Sequence, residues 1–191
     1  MSRCDRLSNE AVDGFLTDLV AHSLATGQPL QHVALHVGGS GATDARALGK
    51  LGTLPHIRSA VLGFRGSHVS AAMLQSLVGL RSAPHLEDAT IDLRDTNLAD
   101  ADLPALAELC TLRHLHVLLQ GIRPPVDPRV LLGLCRALYR SDSRLLTLHL
   151  HLHVGGGCPV PAALGAIQYA NPRLHVHRHR LAARSHADDG A

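Results

Sequence analysis

The stretch Arg144-Leu-Leu-Thr-Leu-His-Leu-His-Leu-His-Val154 carries the clearest periodicity in the chain. Leucine and histidine alternate from Leu148 to His153, so a strand here places leucines on one face and a column of imidazoles on the other. The leucines need an apolar layer to cover them, whereas the histidines face a second surface. The stretch therefore predicts one strand of a sheet whose two faces have different roles.

Composition limits the fold and the compartment. The chain has 191 residues and is 46% apolar, but it contains no Trp, two Phe and two Tyr. This composition suits one domain of thin repeated layers and argues against a sandwich or barrel, whose sheets favour aromatic residues. The four cysteines form no C-x-x-C pair, and no apolar run reaches the length of a signal core or a membrane span. We therefore expect a soluble, cytoplasmic protein in a reducing compartment, without membrane contact.

The charge is weak and depends on histidine. The net charge is +2 with all 15 histidines neutral, which is too small by itself to indicate binding to nucleic acid or to an acidic membrane. Because free histidine titrates near pH ~6.5, protonation would raise this charge steeply between about pH 7 and pH 5.

Alternating apolar triplets recur along the chain. They are Val33/Leu35/Val37, Ala60/Leu62/Phe64, Ala89/Ile91/Leu93, Leu115/Val117/Leu119, Leu148/Leu150/Leu152 and Leu174/Val176. The central residues are 27, 29, 26, 33 and 26 residues apart. A period of about 28 residues indicates a repeat architecture, in which each triplet is one strand.

Helical patterns separate the triplets. Their apolar positions are Leu48/Leu51/Leu54, Met73/Leu74/Leu77/Leu80, Leu103/Leu106/Leu109, Leu131/Leu134/Leu138 and Leu164/Ile167. Their predicted starts are Thr43-Asp44, Ser67, Asp100 and Asp127-Pro128, and an earlier helix begins at Ser8 with Val12, Phe15, Leu16, Leu19 and Val20 on one face. Strands that alternate with helices predict a parallel sheet.

The repeated unit resembles the leucine-rich repeat of the longer, ribonuclease-inhibitor-like class, with a full helix in each repeat. Its clearest copy runs from Leu86 to Leu106, and the resemblance covers about residues 30–178. It implies a right-handed α/β solenoid, a horseshoe with an inner parallel sheet of about six strands and outer helices.

The turn after each strand departs from the family pattern. The family usually places Asn three residues after the last strand leucine, where it bonds the backbone of the turn. The corresponding residues here are Ser40, Ser67, Thr96, Ile122 and Gly155, and Asn97 is one residue late. Hydroxyl groups can replace part of that asparagine ladder, so we interpret the array as divergent and less regular.

This interpretation divides the chain into three segments. Residues 1–29 are expected to form an N-terminal capping helix, residues 30–178 the repeat array and residues 179–191 a flexible tail. The last strand, around Leu174–His177, would end the sheet as a bare edge, and a bare edge invites another chain.

The outward strand residues predict a binding surface. Because the strand centres of a parallel array align, we expect His116, His149 and His175 to form one row and His151 with His177 a second. Solenoids usually bind through their concave sheet, so we expect a partner-binding face there. The candidate residues are Arg65, Arg94, His116, Leu118, His149, His151, His153, His175 and His177.

The expected function is non-enzymatic protein–protein interaction, as a scaffold or adaptor subunit of a larger intracellular assembly such as a cytoskeletal or flagellar complex. The chain contains no P-loop, no G-x-S-x-G and no H-E-x-x-H sequence. We therefore expect no catalytic residue and no cofactor.

Two alternatives stay open. Arg173, Arg178, Arg180 and Arg184 make the C-terminal end basic, which suits contact with an RNA backbone in a ribonucleoprotein, although stacking aromatics are almost absent. A His-x-His strand can also present imidazoles to Zn²⁺. The patch supplies no carboxylate or thiolate, so no residue is assigned as a metal ligand.

Overall fold

The computed structural model describes residues 8–39, 46–122, 126–140, 143–154, 168 and 172–180. Within these ranges one sheet contains six strands: β1 (His32–His36), β2 (Ser59–Gly63), β3 (Asp88–Asp92), β4 (His114–Leu118), β5 (Thr147–Val154) and β6 (Leu174–Arg180). The strands follow one another in chain order, and every neighbouring pair is parallel. The predicted α/β fold with a parallel sheet of six strands is confirmed at this level.

The register places the six predicted strand centres in one row. The paired residues are Leu35–Leu62, Leu62–Ile91, Ile91–Val117, Val117–Leu150 and Leu150–Val176. The four inner members of this row are fully buried, and they belong to one apolar core together with the leucines of the helices. A slip of one residue would turn these side chains away from the helices, which explains why the apolar pattern predicts the register.

Helical segments precede β1 and lie between the successive strands from β1 to β5. The α-helices are α1 (Asn9–Thr26), α2 (Ala71–Val78) and α3 (Pro128–Leu138), and the 3₁₀ helices are Arg46–Thr53, Gly79–Ser82 and Leu103–Thr111. No helix in the described ranges combines the length and the apolar character that a membrane span requires.

The expectation of a full α-helix in each repeat is wrong for two connections. The segments Arg46–Thr53 and Leu103–Thr111 are 3₁₀ helices. Their leucines recur strictly every third residue, as in Leu103, Leu106 and Leu109, all of which are buried. A spacing of three matches the three residues per turn of a 3₁₀ helix, so that all the leucines lie on one side.

Two of the predicted helix starts are confirmed and two are wrong. The Ser8 hydroxyl caps α1 by accepting from Ala11 N at 3.2 Å, and Asp127 caps α3 with Pro128 next. Ser67 caps nothing, because the cap of α2 is Ser70. Asp100 instead accepts a bond from the backbone N of Asp127 at 3.0 Å. The predicted start Thr43-Asp44 and the predicted helix with Leu164 and Ile167 lie outside the described residues.

One predicted core residue of α1 is exposed. Val12, Leu16 and Val20 are buried, whereas Phe15 is 57% exposed. The helix packs against the segment Arg46–Thr53, where Asp13 Oδ1 accepts a bond from Ala47 N at 2.9 Å. That one-sided contact buries a narrow stripe and leaves Phe15 beyond its border.

The turns after the first four strands repeat one backbone conformation. Gly39, Gly66, Asp95 and Gly121 each lie three residues after the last residue of a strand and have φ of 67°, 69°, 56° and 74°. The amide of each of the first three donates to the next turn, for example Asp95 N to Gln120 O at 2.9 Å. A left-handed conformation favours glycine, and Asp is one of the few other residues that tolerate it.

Hydroxyl and amide groups hold these turns together, as the sequence suggested. Ser67 is buried and donates to Val37 O at 3.0 Å, and buried Thr96 donates to Leu93 O at 2.8 Å. The late Asn97 accepts from Val69 N at 3.0 Å and so bonds the preceding turn. Ile122 is buried at the equivalent position. Ser40 and Gly155 lie outside the described residues.

Candidate partner-binding face

One face of the sheet lies away from the helices, and we call it the open face. It is lined by Ala34, His36, Val61, Gly63, Thr90, Asp92, His116, Leu118, His149, His151, His175 and His177. Apart from Gly63, these residues are exposed or half-buried. The helices and the buried leucines occupy the other face, so a partner that approaches the sheet meets the side chains of the open face.

Both predicted histidine rows are confirmed. His116 pairs with His149 and His149 with His175, while His151 pairs with His177. These five residues form what we call the histidine cluster. They lie on β4, β5 and β6, because the alternation of each strand turns every second residue toward the same face.

The rings of the cluster stack across the strands. The ring centres of His116 and His149 are 4.3 Å apart with planes at 6°. The centres of His149 and His175 are 4.7 Å apart at 18°, and a second stack joins His151 to His177 at 4.3 Å and 11°. These distances match the ~4.8 Å spacing of neighbouring strands. His149 therefore has a ring against each of its faces and offers only its edge to a partner.

His149 and His177 meet in a different way, diagonally and edge to edge. Their ring centres are 5.2 Å apart with planes at 12°, and His149 Nδ1 lies 3.0 Å from His177 Nε2. A ring nitrogen lies roughly 1.1 Å from the ring centre, given bonds of roughly 1.3–1.4 Å. Two such radii account for nearly all of the difference between the two distances. The nitrogens therefore lie on the line between the centres, in a head-on N–H···N hydrogen bond between nearly coplanar rings.

The cluster disfavours protonation of its central members. Burial lowers the pKa of His149 to about 4, with further lowering by His116, His175, His177 and His151. Burial also lowers the pKa of His116, although Asp88 acts in the opposite direction. At pH 7 both rings are therefore neutral, and each offers one N–H donor and one nitrogen acceptor.

Acid is expected to destabilise the protein through His149. Its pKa is lower in the folded chain than in the unfolded one, so the unfolded chain binds the proton more readily, and stability falls as pH drops from about 6.5 to about 4. The groups that face His149 are the four other cluster histidines. Replacing His149 with Phe keeps a stacked ring and removes the titration. Between pH 7.5 and pH 5, the Tm of the wild type should fall by roughly 3 °C more than that of His149→Phe, after discounting for partial exposure.

Thermal unfolding followed by circular dichroism measures this difference. His85→Phe is the control, because His85 is exposed and lies in the turn after the 3₁₀ helix Gly79–Ser82. Equal pH dependence in the wild type and in His149→Phe would contradict the assignment.

The two candidate arginines do not belong to the cluster. Arg94 binds Asp92 through two bonds, Nε to Oδ1 at 2.8 Å and Nη2 to Oδ2 at 2.6 Å. Burial of Asp92 opposes its ionisation, but the bonds from Arg94 outweigh this and leave the pKa of Asp92 below its usual value. Arg65 Nε lies 3.0 Å from Asp95 Oδ2. Both guanidinium groups are therefore engaged by carboxylates beside β2 and β3, so the predicted set divides into a histidine part and an ion-paired part.

The two remaining candidates lie on β4 and β5. Leu118 is half-buried and pairs with His151, so it adds an apolar spot beside the cluster. His153 pairs with His179 in the register, but its side chain lies outside the described part of the chain.

A further row of polar contacts was not predicted. His32 Nδ1 lies 2.7 Å from Ser59 Oγ, and His114 Nδ1 lies 2.6 Å from Thr147 Oγ1. These residues lie at the amino ends of their strands and are paired directly in the register. The sequence contains the signal for this row, because each of these residues directly precedes the first residue of an apolar triplet. His36 is also placed over the sheet, because a Cβ at Gly63 would overlap its Nδ1.

The described ranges contain possible metal ligands and thiols, but few of them could take part in such chemistry. No three His, Cys, Asp or Glu side chains within the described ranges come together as a group that could hold a metal ion. Cys110 and Cys135 are buried on the helical side, and burial raises the pKa of Cys135 to about 12. That thiol remains protonated, which makes it a poor nucleophile and a poor ligand.

The chain was compared with known proteins. No protein-family model matches it, and no curated protein matches it.

Proposed function

We propose that the chain is a non-enzymatic protein-interaction module, a scaffold or adaptor subunit that binds its partner across the open face. The observation that carries this proposal is the histidine cluster. Five imidazoles on three adjacent strands point away from the core, and they form two stacks that the contact between His149 and His177 joins. A half-exposed sheet face of this kind is the surface that repeat proteins usually offer to partners.

The strand order and the turns support a leucine-rich-repeat solenoid. Every described strand pairs with its neighbours in sequence, and the left-handed turn recurs after four successive strands. Each repeat then buries its leucines against the next repeat, as in a right-handed horseshoe. In that architecture the open face is the concave one.

The chemistry of the open face favours a hydrogen-bonding partner over an anionic one. The central imidazoles are neutral at pH 7, since the pKa values of His116 and His149 are lowered. The guanidinium groups of Arg65 and Arg94 are engaged by Asp95 and Asp92. Nucleobases bind proteins by stacking on exposed ring faces, but the faces of His149 are covered by its neighbours. These features support a polar protein surface as the partner, and RNA contact through the basic C-terminal end stays the alternative.

Affinity capture with matched variants tests the proposal. The face variant carries His116→Gln, His151→Gln and His175→Gln, and the control carries the same change at the exposed His22, His56 and His85. Some proteins should be enriched by the wild type and by the control. We expect the captured amount of these proteins to fall about tenfold with the face variant, which corresponds to about 1.4 kcal/mol of binding free energy.

Two results would contradict this function. The first is an unchanged set of captured proteins with the face variant, provided that circular dichroism shows both variants folded. The second is capture that disappears after ribonuclease treatment and weakens steeply with salt, which would establish the ribonucleoprotein alternative.

A further inference from the structure

The head-on geometry of His149 and His177 suits a second kind of interaction besides a hydrogen bond. The lone pair of an unprotonated imidazole nitrogen lies in the ring plane and points straight out from the ring centre. Because His149 Nδ1 and His177 Nε2 lie on the line between the ring centres, transfer of the shared proton to the other nitrogen of the donor ring leaves two neutral imidazoles whose lone pairs point at each other. Two nitrogen donors in line are a ligand set for a metal ion.

We infer that His149 and His177 form a two-imidazole binding site for a copper ion, which lies between the two nitrogens once the donor ring carries its proton on its other nitrogen. Copper accepts this arrangement in either oxidation state. Cu⁺ is commonly two-coordinate and linear, and Cu²⁺ prefers a tetragonal arrangement in which two imidazoles occupy opposite positions. Zn²⁺ prefers about four ligands that converge tetrahedrally, and no third ligand group is assembled in the described residues.

The pair must open slightly to admit the ion. With metal–nitrogen bonds of about 2.0 Å, two opposite nitrogens lie about 4 Å apart, compared with 3.0 Å in the hydrogen bond. His177 can supply this movement, since its side chain is exposed and it lies on β6, whose neighbour among the described strands is β5 alone. His149 stays fixed between the rings of His116 and His175.

The neighbouring rings set the orientation of both ligands. His151 stacks on His177 at 4.3 Å, and His116 stacks on His149 at the same distance. These contacts keep the two ligand planes aligned before the ion arrives, which is the role that outer groups usually play around a metal site. The cluster contains imidazoles and no carboxylate or thiolate, and imidazole donors give copper the highest affinity of the first-row divalent ions. The remaining positions of Cu²⁺ would hold water.

Copper titration of the full chain tests the site. Cys4→Ser and Cys158→Ser are introduced first, so that these thiols do not compete. We expect one equivalent of Cu²⁺ to bind, with an electron paramagnetic resonance spectrum that shows coupling to two equivalent nitrogens. A parallel titration of Cu⁺ under ascorbate, against a chelating dye, assigns the preferred oxidation state. His149→Phe and His177→Phe should each weaken the binding at least about tenfold.

His151→Phe is the matched control, because it keeps a ring stacked on His177 and removes an imidazole that is not a ligand. It should retain both the stoichiometry and the two-nitrogen spectrum. Binding that survives in His149→Phe and His177→Phe, a spectrum with a single nitrogen, or equal loss in His151→Phe would overturn the assignment. Tighter binding of Zn²⁺ than of copper would overturn it as well. The capture experiment above leaves His149 and His177 unchanged, so the two proposals fail independently.

Discussion

Gly52→Ala should lower the free energy of unfolding by about 3 kcal/mol, because the added methyl group meets backbone that cannot move away. A Cβ at Gly52 would overlap the carbonyl oxygen of Gly79, and a Cβ at Gly79 would lie 2.6 Å from Gly49 Cα. The 3₁₀ helices Arg46–Thr53 and Gly79–Ser82 thus touch through their backbones. Their separation would have to increase, and with it the spacing between two layers of the core.

Gly14→Ala is the matched control for this prediction. Gly14 lies inside α1 and is exposed, and a Cβ added there would have nothing within 4 Å. Because both changes put Ala into a helical segment, they share the gain of about 0.5–1 kcal/mol that Ala has over Gly in a helix. Urea unfolding should show Gly14→Ala as stabilising and Gly52→Ala as strongly destabilising, with unchanged m values. Equal stability of the two variants would contradict the close backbone contact.

Leu150→Ala should cost about 3–4 kcal/mol, and His151→Ala, one residue later, should change stability by less than about 0.5 kcal/mol. Leu150 is 0% exposed and pairs with Val117 and Val176 at the centre of the core. His151 faces the open side of the same strand. The contrast between adjacent residues tests which face of β5 is buried.

Chemical denaturation of both variants measures this contrast. His149→Ala provides a second open-face position, and Leu148→Ala provides a second buried one, since Leu148 is also 0% exposed. If the costs of the histidine and leucine substitutions were reversed or equal, the register of β5 would be wrong by one residue.

The sequence is sufficient to predict the strands and their register, for a physical reason. Burial of one sheet face demands an apolar residue at every second position, so the triplets around Leu62, Ile91 and Val117 can be aligned by inspection. The helical connections were harder to assign. The three-residue spacing of Leu48, Leu51 and Leu54 is compatible with one turn of either helix type, and the choice of 3₁₀ depends on packing against the neighbouring layer.

The histidine rows were likewise predictable, but the contacts within and around them were not. Rows follow from the alternation of β4, β5 and β6. The head-on contact of His149 with His177 depends on side-chain rotation, which a sequence pattern does not encode. The ion pair of Arg65 with Asp95 depends on the turn, since Asp95 adopts a left-handed backbone at a position where the turns after β1, β2 and β4 have glycine.

The strictly sequential pairing of the six described strands also has a mechanical meaning. A pulling force applied to the two ends would reach each strand through its neighbours, and no described strand bridges two distant layers. In the proposed solenoid the layers would detach one after another, each releasing about 28 residues and therefore roughly 100 Å of extended chain. The proposed solenoid would therefore unfold under tension in small steps, and it could refold one layer at a time.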